Sequence, residues 1–166
     1  MDINKNEKKI PNIAIINGPN INILGVREPD IYGKESWNII ETRLNKLAIG
    51  INVKLLFFQS NHEAFIVNFI QENLNLIDAV VINPAAYTKN GYSVLDALTS
   101  INIPFVEVHL SNIFARGGWH AESIFADKAI GQIIGFRGFV YDLGIMALSD
   151  FITKDLKKIE GGRAYE

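Results

Sequence analysis

Ala79-Val80-Val81-Ile82-Asn83-Pro84-Ala85-Ala86-Tyr87-Thr88 decides the fold: four apolar residues, three of them β-branched, run without alternation into an amide, a proline and a small-residue turn. A half-buried strand alternates apolar and polar positions. An unbroken apolar run ending at a turn signal therefore reads as a strand covered on both faces, as in a parallel sheet between helices. Comparable runs recur at Ile13 to Asn17, Val53 to Phe58, Phe105 to His109 and Ile130 to Phe136, which makes five strands. Between and after them, Trp37 to Ile49, Glu63 to Leu74, Tyr92 to Ile101 and Val140 to Ile152 carry apolar residues at three- and four-residue spacing and read as helices.

This alternation predicts an α/β fold, a flavodoxin-like three-layer sandwich with a five-stranded parallel sheet. Ser60-Asn61-His62-Glu63 has the pattern of a capping box, a hydroxyl followed three residues later by Glu, and places the start of the second helix. Residues 11–155 form a single domain in this reading, with tails at 1–10 and 156–166.

Composition narrows the function. The chain has 166 residues, 48% hydrophobic and 20% charged, enough for one domain with a substantial core. Its net charge is −2 with scattered basic residues, so it lacks the basic stripe that nucleic acid requires. With no cysteine, disulfides, thiolate metal sites and cysteine nucleophiles are excluded together, which suits a reducing cytoplasm. The apolar run from Ile13 to Ile16 is too short for a signal-peptide core, and no stretch approaches the roughly 20 apolar residues of a membrane helix.

In open parallel sheets ligands bind beyond the carboxyl ends of the strands. Here the first strand exits through Asn17-Gly18-Pro19-Asn20-Ile21-Asn22, the third through Asn83 to Thr88, and the fourth through Glu107-Val108-His109-Leu110-Ser111-Asn112. Asn, Gly, Pro and Ser are ordinary turn residues. Three such exits on one rim nevertheless point to a polar small-molecule site.

Glu107 and His109 stand two apart on a strand and share a face. A carboxylate beside an imidazole fixes its tautomer and favours the imidazolium, a general acid near neutral pH; the same spacing also fits a core histidine bonded to its neighbour. Residues 24–33, bounded by Gly25 and Gly33, form a long loop able to close over a site, and this loop holds Arg27 and Tyr32. A cation about 4 Å from a phenol at an effective dielectric of about 20 contributes about 4 kcal/mol, which makes a tyrosinate base feasible near neutral pH. No P-loop or GxGxxG follows the first strand, so no nucleotide is indicated. His62, His109 and His120 have no metal-ligand spacing.

The chain resembles the type II 3-dehydroquinases. The resemblance rests on Ile16-Asn17-Gly18-Pro19-Asn20-Ile21-Asn22-Ile23-Leu24-Gly25, Arg27-Glu28-Pro29 with Tyr32-Gly33, and Phe57-Phe58-Gln59-Ser60-Asn61-His62-Glu63. It continues through Ile82-Asn83-Pro84-Ala85-Ala86-Tyr87-Thr88, Asp96-Ala97-Leu98, Pro104 to Asn112, and Ala115-Arg116.

The resemblance implies anti elimination of water from 3-dehydroquinate to 3-dehydroshikimate through an enolate, without metal or coenzyme. It implies Tyr32, activated by Arg27, as the base, Asn20 as the enolate stabiliser through a bound water, and His109, oriented by Glu107, as the acid. Asn83, Ala85, Leu110 and Ser111 would position the substrate, and Arg116 would support the closed loop. Asp96 would arrive from a neighbouring subunit, since the resemblance implies trimers assembling into a dodecamer.

Two departures fall at the substrate end. Lys89 stands where the family usually has histidine, and Gly117-Gly118-Trp119-His120 replaces a segment usually holding two acids, an aromatic and an arginine. Neither lysine nor histidine offers arginine's planar fork. Lys89 and His120 therefore remain as substrate-binding positions under two readings, mutual compensation or a lyase acting on a related cyclic hydroxyketone carboxylate. A flavodoxin-like binding module without chemistry is the alternative from another class.

Overall fold

The computed structural model describes residues 9–25, 35–116 and 118–160. Five parallel strands, β1 (Asn12–Asn17), β2 (Lys54–Gln59), β3 (Ala79–Asn83), β4 (Phe105–His109) and β5 (Gly131–Ile134), form one sheet in the order β2-β1-β3-β4-β5. The helices are α1 (Trp37–Ile51), α2 (Glu63–Glu72), α3 (Tyr92–Ser100), the short α4 (Ile113–Arg116) and α5 (Phe139–Glu160). The α/β sandwich expected from the apolar runs is the one observed.

Strand alternation assigns the two faces. Ile13, Ile15, Val81, Val106 and Val108 pack with Ile40 and Leu44 of α1 and with Tyr141, Ile145 and Leu148 of α5. Ala14, Ile16, Val80, Ile82 and Phe105 pack with Ile66 and Ile70 of α2, Val94 and Leu98 of α3, and Phe125. Each fully buried isoleucine or leucine contributes roughly 1.5–3 kcal/mol, so both helical layers are held mainly by apolar burial. The chain leaves β1 towards α1 on one face and β3 towards α3 on the other, which makes the β1–β3 seam the switch point where such sheets bind ligands.

That seam is tight. The Gly18 N–H donates to the Asn83 carbonyl at 2.8 Å. A Cβ at Gly18 would stand 2.2 Å from the Pro84 carbonyl oxygen, so only glycine lets the two exits meet. Across α1 and α5, the Arg43 guanidinium forks onto Asp142 at 3.0–3.2 Å and reaches Glu35 at 2.7 Å. Asp142 holds the guanidinium above the usual arginine range.

Several boundaries move. The fifth strand ends at Ile134 rather than Phe136, because Gly135 and Arg137 adopt left-handed backbone and give their N–H groups to the His109 and Leu110 carbonyls. The second helix starts at Glu63, where its spacing puts it, and ends at Glu72 rather than Leu74. Its cap is His62, whose N–H donates to the Ser60 hydroxyl at 2.9 Å, while Glu63 accepts from the Ser93 N–H at the start of α3. The capping-box pattern is thus a local turn followed by a bond between helices. The last helix runs to Glu160 rather than Ile152. Among the described residues, no helix is long and apolar enough to cross a membrane.

Candidate active site

The carboxyl rim of the sheet gathers the polar exits. On β4, Glu107 is wholly buried and His109 nearly so, with the His109 Nε2 2.8 Å from Glu107 Oε1. The Ser123 hydroxyl donates to the same oxygen at 2.6 Å, and the Gln132 side-chain amide donates to Oε2 at 2.6 Å. A carboxylate removed from water needs donors to replace its hydration, and here Ser123 and Gln132 supply two. An acceptor-only Glu107 requires a proton on Nε2, which leaves the imidazole Nδ1 for a ligand.

The other half of the rim lies on the opposite face. Asn17 and Asn83, register partners at the ends of β1 and β3, both reach Tyr141 on α5. The Tyr141 hydroxyl donates to Asn17 Oδ1 at 2.7 Å and accepts from Asn83 Nδ2 at 2.9 Å, while the Ala85 N–H donates to Asn83 Oδ1 at 3.2 Å. Burial holds this phenol protonated well above the usual tyrosine range, and its ring packs edge-on to Trp37 at 5.2 Å. Asn17 Nδ2 is buried with no hydrogen-bond partner among the described residues.

Asn20 sits exposed at φ 68°, heading the 3-10 turn Ile21–Ile23, and its N–H donates to Asn61 Oδ1 at 3.0 Å. Gln59 and Tyr87 hold the Asn61 loop in turn, through Oδ1 at 3.2 Å and the carbonyl at 2.8 Å. The exit of β2 thereby fixes the exit of β1.

The structure brings Asn20, Asn83, Ala85, Glu107, His109, Leu110 and Ser111 to one rim. Ala85, at φ 53°, places its N–H on Asn83. Lys89 closes the β3 exit and pairs with Glu122 at 2.6 Å, both side chains exposed. Asp96 is not at this rim; it faces a groove of about 910 Å³ with Tyr92, Lys128 and Phe151, beneath the amino ends of β4 and β5. Arg27 and Tyr32 lie outside the described residues. Arg116 ends α4 and His120 falls in the 3-10 turn Gly118–Ala121, but their side chains are also outside what is described. Among the described residues no three His, Cys, Asp or Glu side chains converge as metal ligands would.

Sequence reasoning misses Ser123, Gln132 and Tyr141, and places Asn17 only as part of a turn. Gln132 is in register with Glu107 across β4 and β5, a signal available only once strand pairing is known.

Residues 11–149 match the model of the family described as dehydroquinase class II. The chain is 47% identical to a 3-dehydroquinate dehydratase of Prochlorococcus marinus subsp. pastoris, over 86% of this chain and 97% of the relative. It is 44% identical to a catabolic 3-dehydroquinase of Talaromyces marneffei, over 89% and 84%. Among solved structures, the type II dehydroquinase of Butyrivibrio crossotus superposes with a TM-score of 0.79 at 38% identity, covering 87% of this chain and 98% of that one.

Proposed function

The chain belongs to the class II dehydroquinase family, and from that premise we propose that it is a hydro-lyase converting 3-dehydroquinate to 3-dehydroshikimate. The observation that carries the reading is the buried Glu107–His109 pair, one imidazole nitrogen committed to the carboxylate and the other left for the rim. Such a pair supplies a general acid, which typically accelerates a reaction by about 10²–10⁴-fold.

In the proposed sequence Tyr32, as a tyrosinate held by Arg27, removes the proton next to the ketone and leaves an enolate, with Asn20 on the developing charge through a bound water. The enolate electrons then form the carbon–carbon double bond as the carbon–hydroxyl bond breaks. His109, acting as the imidazolium, gives its Nδ1 proton to the departing hydroxyl, which leaves as water, while Nε2–H stays on Glu107. Asn83, the Ala85, Leu110 and Ser111 exits, Lys89, Arg116 and His120 hold the substrate and its covering loop.

Asp96 completes the site from a neighbouring copy in trimers that build a dodecamer; its place in the groove, away from its own rim, supports that reading. The reaction runs in the cytoplasm in this proposal, in biosynthesis or in quinate breakdown, the latter suggested by the catabolic relative.

The test is the ultraviolet absorbance of the conjugated product after purified protein meets 3-dehydroquinate, with and without a chelator. Rapid, chelator-insensitive turnover is expected. A folded protein that leaves 3-dehydroquinate unchanged overturns the proposal.

A further inference from the structure

Asn83 bears an amide that can offer a ligand either a carbonyl or an N–H, and its direction has to be set by something. A backbone N–H cannot be reversed, so the Ala85 N–H compels Asn83 to turn Oδ1 towards it. Asn83 Nδ2 then faces Tyr141, and the phenol oxygen must accept from it. The single phenolic proton is left for Asn17 Oδ1, so polarity runs one way from Ala85 through Asn83 and Tyr141 to Asn17. The opposite direction would set two N–H groups against each other at Ala85.

This order accounts for the one buried side-chain nitrogen or oxygen without a partner among the described residues. Asn17 Nδ2 is the terminal donor of the relay, and flipping it to satisfy the nitrogen would take the acceptor away from Tyr141. The phenol remains a donor throughout because burial keeps it protonated. Asn83 meanwhile uses one of its two amide hydrogens on Tyr141 and keeps the other.

We propose that Tyr141 is a positioning residue for substrate binding: the Ala85 N–H sets which way the Asn83 amide faces, and the Tyr141 hydroxyl, by accepting one Nδ2 hydrogen, holds the amide in place so that the other N–H meets an anionic or hydroxyl oxygen of the substrate. The proposal rests on the dehydroquinate reading and on Asn83 as a substrate contact. Tyr141 touches no reacting atom in it. It acts through Asn83, in the ground state and the transition state alike, so its loss belongs in KM rather than kcat.

The test is a double-mutant cycle with Tyr141→Phe and Asn83→Ala, assayed on 3-dehydroquinate by product absorbance, with folding followed by circular dichroism. Tyr141→Phe is expected to raise KM about tenfold with kcat within about twofold, and to add nothing in the Asn83→Ala background, as for two groups acting as one unit. Asn17→Leu removes the acceptor at the far end without touching the phenol and should give the same KM-only pattern, which keeps the test open if Tyr141→Phe folds poorly. A normal KM in the folded variants, or additive losses in the double variant, overturns the relay while leaving the dehydratase reading intact. An Asn83→Ala enzyme with unchanged KM overturns both the relay and the Asn83 contact, and an inactive wild-type chain overturns the reaction itself.

Discussion

Gln132 on β5 and Glu107 on β4 are direct register partners, and the Gln132 amide meets Glu107 Oε2 at 2.6 Å, on the oxygen that His109 does not use. Gln132→Leu keeps the side-chain size but strips the one donor that the described residues place on that oxygen. A hydrogen bond to a charged group is worth about 1.5–3 kcal/mol, so unfolding free energy should fall by about 2 kcal/mol in a denaturant titration. With the carboxylate less firmly held, kcat should drop about tenfold and KM stay near its starting value, a split that marks loss at the proton-transfer step.

The acid and the base separate cleanly in kinetics. His109→Ala should lower kcat by about 10²–10⁴-fold, the usual range for a general acid, with a smaller change in substrate affinity. Tyr32→Phe should abolish turnover while calorimetry still detects binding, because the phenolic oxygen acts on the transition state. Near-normal turnover by Tyr32→Phe would remove Tyr32 from its role.

Lys89 and Glu122 form an exposed ion pair, and such pairs contribute at most about 1 kcal/mol. Lys89→Met should therefore barely move the melting temperature. Its effect should appear as a severalfold rise in KM that shrinks as salt is added, since screening already weakens an exposed cation in the wild type. An unchanged KM would confine Lys89 to the surface pair.

Arg43 predicts the reverse, a stability defect without a kinetic one. Arg43→Ala leaves the buried Asp142 carboxylate without its fork and should cost about 2–3 kcal/mol in unfolding free energy. The guanidinium is raised above its unfolded value, so its contribution is complete below the ordinary arginine range and is lost only on passing above it. Between about pH 6 and 9 the difference between wild type and variant due to this group should stay constant.

Part of this architecture is legible in the amino-acid order alone. The sheet is readable because Ile13–Ile16 and Ala79–Ile82 are apolar at every position, as burial on both faces demands. Glu107 and His109 are readable as neighbours because a strand repeats every two residues. Ser123 and Gln132 are not, since one comes from irregular chain and the other depends on a register that local sequence leaves open. Tyr141 looks like one more apolar position on a helix, and its hydroxyl carries no mark of the two amides it joins. The end of β5 is hidden because Arg137, which has no sequence preference for left-handed backbone, adopts φ 51° to reach the Leu110 carbonyl.

The two halves of the rim are anchored in different cores. Asn17, Asn83 and Tyr141 stand on the layer shared with α1 and α5, while Glu107, His109 and Ser123 stand on the layer shared with α2 and α3. Damage to this enzyme should therefore come in two dialects. A void opened beside Ile145 would loosen the grip on substrate, and one opened beside Leu98 would slow the chemistry, so affinity and rate could be tuned from the interior one layer at a time.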